Sequence, residues 1–184
     1  MKKILVFLCC CALLGACSNK KKDESKTEGT TMGADTSKAV PQSEFADQKY
    51  VQIGKTLLNH MSSGNVDSWL DAYSDSAVYQ WSNGDSLKGK AAIEKYWKSR
   101  RMGVIDSLVY TTDIWLPIKV NRPQQGPDAP GIWLLGWYMV NVKYHTGKRL
   151  VMWTHVDHHF DANDKIDRSI QYIDFAPINK ATGK

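Results

Sequence analysis

After Gly103 the chain runs through four long segments rich in Val, Ile, Thr, Tyr and Trp: Leu108–Val120, Ile132–His145, Lys148–Phe160 and Ile166–Ile178. Such residues favour a pleated, half-buried backbone, so each segment is expected to be a strand. Thr146-Gly147 and Ala162-Asn163-Asp164 are hairpin turns, which makes the last three strands an antiparallel meander. Pro117, Pro123, Pro127 and Pro130 forbid a continuous strand between the first two segments and mark a long flap over residues 117–131. Ahead of the strands the period is helical. Val51, Ile53, Leu57, Leu58 and Met61 recur at helix spacing, Gly64 stands where that helix would end, and Asn65 can cap a second helix from Val66 to Tyr73 with Trp69, Leu70 and Tyr73 inward. Ala77–Trp81 alternates as a short strand turned by Asn83-Gly84-Asp85, and a third helix starting near Gly89 buries Ile93, Tyr96 and Trp97. Helices first and strands afterwards read as α+β, with the helices on one face of a curved sheet.

The N-terminus carries an address. Met1-Lys2-Lys3 is basic, Ile4 to Leu14 is apolar, and small residues precede Cys17, the three parts of a secretory signal peptide over residues 1–16. The apolar run falls far short of the ~20 residues that span a bilayer. The segment Leu14-Gly15-Ala16-Cys17 resembles a bacterial lipobox, which implies cleavage before Cys17 and acylation of its sulfur. Several acyl chains on one cysteine give stable anchoring. By the same resemblance Ser18 directs the protein to the outer membrane, and Lys22-Asp23-Glu24 looks like a surface-export signal, for which a solvated charge run is the plainer reading. Residues 17–44 have no aromatic residue and cannot offset their ordering entropy, so they are expected to be a flexible tether, with one domain over residues 45–184.

Composition removes some function classes. All 4 cysteines lie within the first 17 residues, so the domain has no disulfide, no thiol nucleophile and no cysteine-bound metal. A net charge of +5, spread along the chain, does not point to nucleic acid.

Three segments, in order, resemble the nuclear transport factor 2-like superfamily with its SnoaL-like and ketosteroid isomerase-like members: Gly64–Val78, Leu87–Trp97, and Phe160–Ile166 with Tyr172-Ile173-Asp174. The resemblance implies a cone in which three N-terminal helices pack on a strongly bent, mostly antiparallel sheet and enclose a pocket. It also places the superfamily's known catalytic positions. The ketosteroid isomerase-like tyrosine falls on Leu57, the base on Trp81, and the acid on Val156 or Asp157. The epoxide hydrolase-like set needs charges on a middle strand, yet Ile132–Val142 has none, and its last-strand acid falls on Gln171. Neither set is matched.

The densest polar group that remains is Trp153-Thr154-His155-Val156-Asp157-His158-His159. Strand alternation puts His155, Asp157 and His159 on one face and His158 on the other with Val156 and Phe160. The three could hold a transition metal at steps of roughly 6.6 Å. They could also supply a His155–Asp157 catalytic dyad for a hydrolyase or isomerase, and the plainer reading has them on the outer face as solvated or dimer-contact residues. The catalytic expectation is His155 and Asp157, with no metal and no cofactor assigned. Among 7 Trp and 8 Tyr, the expected lining of a ligand pocket is Trp69, Tyr73, Trp81, Trp137 and Trp153, with Gln171. The expected function is an envelope-anchored module for a small apolar or aromatic molecule. The alternatives are the dyad enzyme and an interaction protein that forms a homodimer through its sheet.

Overall fold

The structure is a computed structural model that describes residues 40–125 and 128–184. The leader, Cys17 and the tether as far as residue 39 lie outside the described residues. In chain order the elements are β1 (Ser43–Phe45), α1 (Lys49–Ser63), α2 (Val66–Leu70), β2 (Tyr73–Trp81), β3 (Ser86–Lys88), α3 (Lys90–Gly103), β4 (Ile105–Val120), β5 (Gly131–Tyr144), β6 (Arg149–Phe160), β7 (Ile166–Tyr172) and α4 (Phe175–Thr182). The strands form one sheet in the order β1-β4-β5-β6-β7-β2-β3. The β2–β7 pair is parallel and the others are antiparallel. The class is α+β, with α1, α2 and α3 against one face of a curled sheet.

Local chemistry explains most boundaries. Gly64 takes φ 80° and closes α1 in a conformation that an L side chain resists. Asn65 caps α2, its side chain accepting from Ser68 N at 3.1 Å. Helix α2 stops at Leu70 rather than Tyr73, because the Ala72 carbonyl accepts from Ile166 N at 2.8 Å and draws Tyr73 into register opposite Ile166. The last strand ends at Tyr172, well before Ile178. There the Asp174 carboxylate accepts from Ala176 N at 2.9 Å and starts α4, with Pro177 in the first turn, where a missing N–H is harmless.

The sheet also takes in Ser43 and Glu44, ahead of the expected domain start, through pairing of β1 with the end of β4. Pro117 belongs to β4 and not to the flap. Its carbonyl accepts from Ala46 N at 3.0 Å on the β1 side, so its missing N–H leaves the β5 ladder intact. A bulge between Thr111 and Ile114, with Thr112 at φ 54°, bends β4 over the helices. The β6–β7 turn is tied to α1, since Tyr50 Oη donates to Asp164 Oδ1 at 2.6 Å and Lys49 Nζ lies 2.7 Å from Oδ2.

Candidate functional site

The inner face of the sheet and the helices enclose two hollows of about 30 and 60 Å³. Trp97, Tyr110 and Gln171 border both and divide them. The smaller is walled by Leu57 and Met61 of α1, Trp69 of α2, Tyr138 of β5 and His158 of β6. The larger is closed by Ile173 and by Ile178 of α4.

Polar tips are spaced through this aromatic lining. The Ser169 hydroxyl donates to Tyr73 Oη at 3.1 Å, so its oxygen accepts from His158 Nδ1–H at 2.8 Å and Nε2 is the acceptor nitrogen of the ring. Burial, helped by repulsion from His155, pulls the His158 pKa down to about 3, so this imidazole is neutral at physiological pH. Burial likewise pushes the hydroxyls of Tyr73, Tyr79, Tyr110 and Tyr138 upward, and they stay protonated. Tyr79 Oη donates to Gln171 Oε1 at 2.7 Å, which leaves the Gln171 amide N–H groups as donors. Trp97 Nε1 is buried with no hydrogen-bond partner. A neutral histidine, protonated phenols and an orphan indole N–H make a set for hydrogen bonding to an uncharged ligand. They are a poor set for abstracting a proton.

His155, Asp157 and His159 are on the other face of β6, away from the helices, which is the outer-face arrangement among the alternatives open in the sequence. The physical reason is that Thr154, Val156, His158 and Phe160 fill the inward positions. His155 Nε2 lies 2.8 Å from Asp157 Oδ1, and Nδ1 lies 2.9 Å from the Gly136 carbonyl. Its ring is stacked between Trp137 at 4.4 Å and Tyr172 at 5.3 Å. Burial lowers the His155 pKa, but the Asp157 carboxylate and the Gly136 carbonyl outweigh it and the net shift is upward. Both ring nitrogens face acceptors, which suits an imidazolium clip on the sheet surface. His159 is similarly spent, Nδ1 at 2.6 Å from Asp167 Oδ1 and Nε2 at 3.1 Å from the Pro130 carbonyl. Among the described residues no group of three His, Cys, Asp or Glu is placed to hold a metal ion.

Of the expected pocket residues, Trp69 and Gln171 line the smaller hollow, Tyr73 reaches it through Ser169, and Trp81 packs behind it on Tyr79 and Tyr96. Trp137 and Trp153 are corrections: both are on the outer face, and Trp153 is 49% exposed. The choice between Val156 and Asp157 falls on Val156, which is buried and inward. Tyr79, Trp97, Tyr110, Tyr138 and His158 were not among the expected site residues. For His158 the signal was available, since strand parity already separated it from His155 and His159.

Solved structures share this architecture. A Bacillus subtilis protein provisionally assigned as an isomerase superposes with a TM-score of 0.59 at 17% identity, covering 74% of this chain and 94% of that one. A Xanthomonas campestris pv. campestris protein provisionally assigned as a polyketide cyclase gives 0.58 at 12% identity, over 73% and 97%. A Catenulispora acidiphila DSM 44928 protein with a ketosteroid isomerase-like fold, solved with trimethylamine, gives 0.52 at 10% identity, over 72% and 92%. The fold shared with that last structure is the ketosteroid isomerase-like one. At these identities only the fold is shared. No protein-family model matches the sequence, and no curated protein matches it significantly. Within the cone of this chain, the positions named by the resemblance hold Leu57, Trp81, Val156 and Gln171, all buried. None of the four side chains ionises.

Proposed function

We propose that the chain is an envelope lipoprotein, anchored through Cys17 at the outer membrane, whose domain binds one small apolar or aromatic molecule in the cone without transforming it. The anchoring rests on the Ile4–Leu14 apolar run and the Leu14-Gly15-Ala16-Cys17 motif. The binding reading rests above all on Trp97 Nε1, a buried donor with no partner at the boundary of the two hollows. Leaving such a group unpaired costs about 1–3 kcal/mol, which a carbonyl or ether oxygen on the ligand would offset. Ligand pockets usually measure roughly 300–1,000 Å³, so the two hollows must merge and grow when occupied. Helix α4 is the wall that can yield. It has 8 residues, presses Ile178 into the larger hollow, and is held by the hydrogen bond from Thr146 Oγ1 to the Ala181 carbonyl at 2.7 Å and by packing.

The test is titration of the chain with steroids, terpenoids, aromatic polyketides and short fatty acids, following tryptophan emission and recovering the ligand. At ~25 cal/mol per Å² of apolar area, micromolar binding is within reach after association costs. Saturable quenching with unchanged ligand is expected, with roughly tenfold tighter binding for Ile178→Ala, which enlarges the hollow by a few methylenes. Silence from both proteins across the panel would sink the reading, and turnover would replace it with an enzyme.

A second reading, association of two copies through the sheet, is favoured by the outer face. Val109, Ile114, Val151, Trp153 and Tyr172 are 52%, 56%, 61%, 49% and 40% exposed there. A monomeric mass at high protein concentration would exclude it.

A further inference from the structure

A hollow of about 430 Å³ lies between α3 and the residues that follow α4. Its floor is apolar, made by Leu87, Ala92, Tyr96 and Val104, and its polar rim carries Lys95, Arg100 and Lys184. No Asp or Glu lines it. Two neighbouring cations of α3 are occupied. Lys98 is held by Asp67 at 2.5 Å and Glu94 at 2.7 Å, and Arg101 donates to the Met61 and Ser62 carbonyls at 3.0 and 3.1 Å. Arg100 instead sits at a junction. It borders both the outer cleft and the inner hollow next to Trp97, and its partner on the inner side is the Tyr144 phenol rather than a carboxylate.

We infer that the ligand of the cone is an amphipathic carboxylate whose head group is held in this cleft by Arg100 and Lys95 while its body, apolar apart from the oxygen that meets Trp97 Nε1, enters the hollow under Ile178. The inference rests on the cone-binding reading above and adds the chemical class of the ligand. A planar guanidinium matches a carboxylate with two parallel N–H···O bonds, and Lys95 adds a second positive charge on the adjacent turn of α3. The apolar floor supports the first part of the chain. Beyond Arg100 the lining turns to Ile105, Leu108, Val140 and Val142, where a second charge would be stranded. A monoanion with an apolar tail therefore fits the gradient from cleft to cone, whereas a cation meets the like charges of Lys95 and Arg100 at the entrance.

The experiment is calorimetric titration of the full chain with decanoate, decanol and decylamine, three probes with one tail and different heads. Decanoate is expected to bind at least tenfold more tightly than decanol, and decylamine more weakly than either. Arg100→Met keeps the length and apolar character of the side chain and should bring decanoate down to the affinity of decanol. Lys95→Met, at an exposed position, should reduce decanoate affinity about threefold with no effect on folding, which guards against a misfolded Arg100 variant. Raising salt should narrow the gap between decanoate and decanol. Equal binding of decanoate and decanol, or decanoate binding indifferent to both substitutions, overturns the head-group site and leaves the cone reading standing. Failure of all three probes to bind overturns the amphipathic-carboxylate inference, while the cone reading stands or falls with the panel titration above.

Discussion

Gly136→Ala is expected to destabilise the domain by about 3 kcal/mol, at the upper end for overpacking, and to lower its melting temperature by roughly 10 °C. A methyl group there would lie 2.3 Å from Trp115 Cζ3 and 2.7 Å from Cε3. The ring has nowhere to retreat. On its other side a Cβ at Gly54 would be only 2.8 Å away, so α1 and β5 grip the indole between two bare backbones. Trp115 Nε1 is further fixed by donating to Asp113 Oδ2 at 2.7 Å. Because the clash is with one side chain, the cost should be strongly non-additive. Trp115→Leu destabilises the wild-type chain but should be neutral or stabilising in the Gly136→Ala background. Urea denaturation of the four proteins checks this, and additive losses would mean that the indole does not lie between the two glycines.

Lowering the pH from 7 to 4.5 is expected to remove about 2–3 kcal/mol of stability, most of it through His158. Its folded pKa, about 3, is below its ordinary value of 6.5, so below pH 6.5 the unfolded chain binds the extra proton. Stability is therefore complete above about pH 6.5 and drains away as the pH falls toward 3. His155 has the opposite sign. Its folded pKa is raised, so its contribution is complete below the unfolded value and is lost as the pH rises through the folded one. The two windows do not overlap, which isolates His158 on the acid side. His158→Gln, which can still reach Ser169, should lose less than about 1 kcal/mol over the same interval whatever its stability at pH 7. An acid slope equal to that of the wild type would show that His158 is not enclosed in the cone.

Much of this architecture was legible in the chain. Asn65 and Gly64 mark their helix ends because a side-chain acceptor and a left-handed residue have few other uses there. The hairpins at Thr146-Gly147 and Ala162-Asn163-Asp164 fix the meander for the same reason. Parity along β6 was also legible, but its direction was not. Trp133, Trp137 and Met139 on the outer face of β5 are as apolar as Leu134, Tyr138 and Val140 on the inner face, so alternation alone could not say which side the helices cover. That ambiguity put His155 and Asp157 forward and left His158 behind. Helix α4 was hidden because Ile173 and Ile178 continue the apolar pattern of β7, and only the Asp174 cap with Pro177 behind it breaks the strand. The orphaned Trp97 N–H depends on packing between α3, β4 and β7, which no local pattern encodes.

In the proposed complex a ligand sits inside the cone and gives Trp97 Nε1 its missing acceptor. Nitrogen-15 correlation spectra resolve the indole N–H groups of the 7 tryptophans individually, with Trp97 assigned by its disappearance in Trp97→Phe. On titration with whichever compound quenches emission, a downfield shift of the Trp97 indole proton larger than that of any other tryptophan is expected, with Trp137 and Trp153 unmoved. A shift confined to Trp137 and Trp153, with Trp97 unchanged at saturation, would place the ligand on the outer face of the sheet and rule out binding in the cone.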